Sequence, residues 1–180
     1  MPVAIDARCF GPLKKSAKIM GCLALVFTSV TSAQSPRVDR IEIVEKGIYQ
    51  AATIKRIENK RLASGTMQSV ASIKKVADST AVPARLGVRF GFRFRLLGEP
   101  NGVAVPLSLR LKFPNGGLRN PETGAIHDYD ELSSSRTIGD IHYHGYSFDH
   151  QWELVAGIWT FEIWYDDTKM LEQSFMVAKE

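Results

Sequence analysis

From Leu86 onward the chain alternates without a break. Leu86, Val88, Phe90, Phe92, Phe94 and Leu96 hold the even positions, while Gly87, Arg89, Gly91, Arg93 and Arg95 hold the odd ones. Successive side chains of an extended strand point to opposite faces, so this stretch puts six apolar groups on one side and three guanidinium groups on the other. A helix would scatter both sets around its circumference. One face of a sheet must therefore be dry here, and a dry face needs a second layer to cover it.

The same period recurs. After the turn-rich Gly98-Glu99-Pro100-Asn101-Gly102, the residues Val105, Leu107, Leu109, Leu111 and Phe113 alternate with Ser108, Arg110 and Lys112, which predicts a hairpin with the preceding strand. Trp159, Phe161, Ile163 and Tyr165 alternate with Thr160, Glu162 and Trp164; Asp166-Asp167-Thr168 turns the chain, and Leu171, Gln173, Phe175 and Val177 return as a second hairpin. Weaker strands are expected over Ile41 to Tyr49, part of Ala52 to Ile57, part of Met67 to Val76, and Ile141 to Phe148. Residues 52–62 have some helical character, but β-branched Thr53, Ile54 and Ile57 favour a strand. Phe113 to Arg136 is rich in Gly, Pro, Asn and Ser and is expected to be a surface excursion. Short strands with turn signals between them predict an all-β fold, an antiparallel β-sandwich that is immunoglobulin-like in architecture.

The N-terminus reads as an export signal. Arg8, Lys14, Lys15 and Lys18 precede an apolar run from Ile19 to Val30, followed by Thr31-Ser32-Ala33 with small residues where a signal peptidase needs them. Residues 1–33 are thus expected to be a cleaved signal peptide, and residues 34–180 a single β-sandwich domain in the periplasm or outside the cell. Cys22 precedes the apolar run rather than following it, which argues against lipidation. No stretch has the 18 or more uninterrupted apolar residues of a membrane span, so the mature chain is expected to have no transmembrane segment. Both cysteines, Cys9 and Cys22, leave with the signal, and so do four of the 23 Lys and Arg against one of the 19 Asp and Glu. What remains is close to neutral, which does not suggest a nucleic-acid partner.

Charge within the remaining chain is uneven: residues 34–98 carry 13 basic and 5 acidic side chains, and residues 99–180 carry 6 and 13. Two readings follow. Strands of the two halves lie side by side and their charges pair, or a bipolar surface recruits a charged partner.

Three blocks add a resemblance. These are Val82-Pro83-Ala84-Arg85-Leu86-Gly87 running into Phe90-Gly91; Phe113-Pro114 with Gly117-Leu118-Arg119-Asn120-Pro121-Glu122-Thr123-Gly124; and Gly145-Tyr146-Ser147-Phe148-Asp149 with Trp152-Glu153-Leu154, Gly157 and Trp159-Thr160-Phe161-Glu162. Together, over roughly Ile41 to Val177, they resemble a bacterial exported family known only as domain of unknown function 3859. Ala156 stands where that pattern has proline. The resemblance implies a β-rich envelope protein and carries over no catalytic or ligand-binding residues.

Several residues are candidates for chemistry. His142 and His144 share one strand face at a spacing of about 7 Å, and His127, Asp128, Asp130, Asp149 and His150 are potential third ligands for zinc or copper. Two histidines on a half-exposed strand are the plainer alternative. Asp128-Tyr129-Asp130-Glu131 is acidic but lacks the glycine and ligand spacing of a calcium loop. Glu153 and Glu162 are a candidate carboxylate pair for glycoside chemistry whose separation is not legible in the sequence. There is no Gly-x-Ser-x-Gly elbow and no phosphate loop.

Binding candidates are clearer. Arg89, Arg93 and Arg95, joined by Arg110 and Lys112 across the expected hairpin, make one basic face, unless Glu162 or Glu172 neutralises it. Trp164, sharing the outer face with Thr160 and Glu162, forms an aromatic patch with Trp152 and Tyr146 unless a loop or second sheet covers it. The leading expectation is a non-enzymatic, cofactor-free binding or envelope-associated module whose partner is an envelope protein, a glycan or a lipid headgroup. A small metal-binding protein or metal-dependent hydrolase using His142 and His144 is the second, and a loop-presenting protease inhibitor the third.

Overall fold

The computed structural model describes residues 35–114 and 116–179, with the side chains of Thr53 and Ile54 excepted. The expected signal peptide lies outside the described residues. Among the described residues eleven strands follow in chain order: β1 (Arg37–Glu58), β2 (Thr66–Ala77), β3 (Ala81–Pro83), β4 (Arg89–Glu99), β5 (Ala104–Lys112), β6 (Leu118–Arg119), β7 (Ile126–His127), β8 (Tyr129–Thr137), β9 (Ile141–Ser147), β10 (Gly157–Tyr165) and β11 (Thr168–Ala178). One sheet has the order β2-β1-β4-β9, the other β3-β11-β10-β5-β8, and β6 and β7 form a small ribbon. The ladders are antiparallel except β3 against β11, which is parallel.

The dry faces meet as the alternation requires. Phe90, Phe92, Phe94 and Leu96 of β4 are fully buried against Trp159, Phe161 and Ile163 of β10. Phe90 sits edge-on to Trp159, Phe161 and Phe175 with centroids 5.8, 5.7 and 5.4 Å away, the geometry aromatic quadrupoles favour. The β10–β11 hairpin turns at Asp166 and Asp167 with φ of 45° and 59°, a left-handed pair that matches the twist of the flanking strands.

The expected hairpin of residues 86–113 does not form. β4 belongs to the first sheet and β5 to the second, so residues 100–103 carry the chain across the sandwich. Alternation reports which face of a strand is buried, not which strand lies beside it. Arg110 and Lys112 consequently lie on the opposite outer surface from Arg93 and Arg95, and the five-cation face does not exist. The excursion of residues 113–136 is also corrected, because it contains β6, β7 and the nine-residue β8, paired with β5 from Lys112↔Tyr129 to Ala104↔Thr137. Serines and charges on both faces of this edge strand leave no apolar period to read, and polar edges of this kind discourage further strand pairing.

β1 is one strand where two were expected. As far as Tyr49 it pairs with β4; beyond that only with β2, through several register shifts. Such bulges bend a strand, and Ser72 on β2 has φ 47°. The far halves of β1 and β2 thus leave the sheet as a two-stranded arm tipped by Asn59–Gly65.

Gly91 marks a close approach of β4 and β9. Its φ is 154°, and a Cβ there would run into the His144 carbonyl oxygen and Gly145 Cα. Gly91→Ala is expected to cost about 2 kcal/mol or more, seen as a lower denaturation midpoint. A midpoint equal to wild type would show that the two backbones can separate at no cost.

Candidate functional site

β9 and β8 are edge strands of different sheets, joined by Ile138-Gly139-Asp140, so a lateral cleft opens between two strands that each lack a neighbour on one side. The arm covers it. At its tip, Ala63 is wholly buried; its N–H donates to Asp130 Oδ1 at 2.7 Å and its carbonyl accepts from Asn120 Nδ2 at 2.9 Å. Asn120 is itself held by the turn it closes, its Oδ1 accepting the Glu122 N–H at 2.8 Å. Along the arm, Arg56 pairs with Asp149 at 3.4 Å, and Gln68 accepts from Arg89 at 2.6 Å while donating to Asp149.

Between arm and cleft lies a cavity of about 220 Å³. Five successive β9 residues, Tyr143 to Ser147, line one side; Met67 and Val70 of the arm face them, and Leu109, Leu111 and Leu132 close the wall from the second sheet. Arg89, Arg136, Asp130 and Asp149 supply the charged groups. Burial lifts the Asp130 carboxyl to about 6, against the opposing pull of the Ala63 N–H and His127. Burial also lowers the Arg136 guanidinium from its ordinary value and pushes His144 down to about 4, so its ring is neutral at pH 7. His144 Nε2 and Arg136 Nε are buried without hydrogen-bond partners among the described residues.

Below the cavity sits a closed polar knot. Glu153, 0% exposed, accepts the Tyr146 hydroxyl at 2.9 Å and the backbone N–H groups of Asp149 and His150 at 2.6 and 2.9 Å. Its carboxyl is raised mainly by burial. The knot fixes the Phe148–Leu154 corner that carries β9 over to β10.

The residues singled out in the sequence land in several places. His142 and His144 do share a face, but it is the inner one. His142 Nε2 contacts the Thr137 carbonyl at 2.9 Å, and the His144 ring lies edge-on to Phe161 at 4.9 Å; among the described residues no group of three His, Cys, Asp or Glu side chains is placed to hold a metal ion. Arg93 meets Glu45 at 3.5 Å and Arg95 stands opposite Glu42, so the acids beside these arginines come from the same half of the chain. Arg89 is 8% exposed and belongs to the cavity.

Glu162 is buried on the outer surface of the second sheet, within 3.9 Å of Arg110, 3.7 Å of Lys112 and 3.6 Å of Lys169. Among the described residues it shares no partner with Glu153, which is held by Tyr146 and the Asp149 and His150 N–H groups, so nothing in the contacts joins the two as a carboxylate pair. The aromatic patch is not a unit either. Tyr146 packs inside the sandwich on Trp159 at 5.1 Å, Trp164 lies outside it with its Nε1 on Glu162 and the Arg110 guanidinium 5.1 Å above its ring, and Trp152 stacks on His150.

The family model described as Domain of unknown function (DUF3859) matches residues 37–177. The chain belongs to this family. In the DUF3859 blocks of this chain, Asn120 holds the arm tip and Tyr146 and Glu153 make the knot. A crystal structure of an immunoglobulin-like protein from Pseudomonas aeruginosa is similar to this DUF3859 chain, with 26% identity and a TM-score of 0.54 over 82% of this chain and 99% of that one. No curated protein matches the chain. Among the described residues no helix is long and apolar enough to cross a membrane.

Arg136 and Gln68 were not legible as site residues. Neither lies in a chemical motif, and only the strand pairing of β8 and the fold-back of the arm bring them to the cavity.

Proposed function

We propose that the domain is a non-enzymatic binding module of the bacterial periplasm or cell exterior that holds a small ligand in the lateral cavity under the arm. The observation that carries this reading is the cavity itself, placed where two unpaired strand edges meet and lidded by a hairpin that touches the rest of the fold through a few side-chain bonds. Mixed lining supports it: aliphatic walls with a few convergent polar groups are the usual make-up of ligand sites. The export signal read from residues 1–33 supports the compartment. His142 is engaged by a backbone carbonyl and His144 is packed among phenylalanines, which favours binding over metal chemistry.

Leu132→Trp is the test, since it fills the cavity from a half-buried edge-strand position. Protein recovered from its own envelope fraction is expected to show, by native mass spectrometry, a mass above that of the polypeptide beginning at Gln34, and the excess is expected to vanish in Leu132→Trp. An excess that survives the substitution would place the ligand elsewhere, and a bare polypeptide whose cavity methyl groups do not respond to envelope extract would overturn the reading.

A further inference from the structure

On the reading that the lateral cavity is a binding site, we propose that its ligand is a small monoanion, a carboxylate on a short apolar stem, gripped by Arg136 and Arg89. The two guanidinium groups reach the cavity from different sheets, Arg136 from β8 and Arg89 from β4. Neither has a carboxylate within ion-pair distance among the described residues. Arg136 gives Nη1 to its neighbour Ser135's carbonyl at 3.2 Å and leaves Nε unmatched; Arg89, almost fully buried, gives Nη2 to the neutral Gln68 amide.

A buried cation is costly unless an anion completes it. Elsewhere this fold obeys that rule, with Arg110, Lys112 and Lys169 gathered around Glu162. The two cavity arginines have no such direct ion pair, and a guanidinium fork matches a carboxylate geometrically as well as electrostatically.

The acids in the lining narrow the choice. Asp130 is engaged by the Ala63 N–H and Asp149 by Arg56 and Gln68, so neither makes a direct ion pair with Arg89 or Arg136, although their charge offsets part of that of the arginines. A dianion such as phosphate would still face their negative charge. The leucines of the second sheet and Met67 and Val70 of the arm offer no hydrogen bonds, so the part of the ligand that lies against them is apolar. A volume of about 220 Å³ exceeds the ~150 Å³ of an apolar cavity that takes up benzene, which is room for a small molecule.

Titration of the protein with hexanoate, hexanamide and inorganic phosphate, followed by methyl NMR, tests this. Hexanoate is expected to shift the Met67, Leu111 and Leu132 methyl signals saturably, and the other two to bind at least about tenfold more weakly, as loss of a charged hydrogen bond implies. Arg136→Met is expected to weaken hexanoate about tenfold or more, while Arg40→Gln, on an exposed pair with Glu42, leaves it unchanged. Arg136→Lys keeps the charge, loses the fork and is expected to weaken hexanoate too; it serves if the Met variant misfolds. Hexanamide binding as tightly as hexanoate would overturn the anion assignment and leave the cavity reading standing; a preference for phosphate would overturn the monoanion. Hexanoate affinity unchanged in both Arg136 variants would remove Arg136 from the site. Failure of all three probes to move the cavity signals would overturn the site and the assignment together.

Discussion

Glu153→Ala is expected to cost about 3–5 kcal/mol of folding stability, the range for removing one partner from a buried charged network. The carboxylate is wholly buried and three donors converge on it: the Tyr146 hydroxyl and two backbone N–H groups. Alanine leaves all three without an acceptor in a space water does not reach, and each such donor is costly on its own. Tyr146→Phe removes only one bond and keeps the ring on Trp159, so about 1–2 kcal/mol is expected there. The double variant should cost less than the sum, because the hydroxyl left stranded by Glu153→Ala is no longer present. Urea denaturation with an unchanged slope would read these differences. A loss below about 1 kcal/mol for Glu153→Ala would mean that solvent or another side chain replaces the carboxylate.

The knot also shows where the sequence was readable. The Gly145-Tyr146-Ser147-Phe148-Asp149 and Trp152-Glu153-Leu154 blocks were visible as units, yet their meaning was not, because a tyrosine and a glutamate seven residues apart meet only when the chain turns a corner between sheets. The long alternating strands were legible because burial of one face imposes a period of two whatever the partner. Strand partnership was not, and β4 and β5, read as a hairpin, instead face each other across the core. Polar β8 failed for the opposite reason, since an edge strand without an apolar stripe looks like a loop. It carries Asp130, Leu132 and Arg136, through which the second sheet's edge lines the cavity. Arg89 was singled out for a different surface; the periodicity correctly took it away from the phenylalanines, but nothing local announces that an arm formed by β1 and β2 folds over that side.

The docking of that arm is expected to depend on pH through Asp130. With the arm down, burial raises this carboxyl from 3.8 to about 6; with the arm lifted, the group is hydrated and returns toward its ordinary value. The groups facing it are the Ala63 N–H from the arm tip, His127 on β7, Glu153 in the corner and Tyr146 on β9, of which Ala63 and His127 favour the charged form and Glu153 opposes it. A carboxyl raised in the closed state binds its proton more tightly there. Closure is therefore strengthened as pH falls through about 6, fully so below 3.8, and loses that contribution as pH rises above 6. Two units correspond to about 3 kcal/mol, or about 100-fold in the closing equilibrium. Hydrogen exchange at the Ala63 amide, corrected for its intrinsic pH dependence, is expected to be up to about 100-fold better protected at pH 4 than at pH 7. Asp130→Asn retains a carbonyl oxygen for Ala63 but cannot titrate, so its protection should be nearly flat across that range. A wild-type profile that persists in Asp130→Asn would assign the effect to another group, and protection that falls on acidification would reverse the sign and refute the linkage. If the linkage holds, the same arm that lids the arginine-lined cavity closes more tightly in acid, and ligand exchange should be faster at pH 7 than at pH 5.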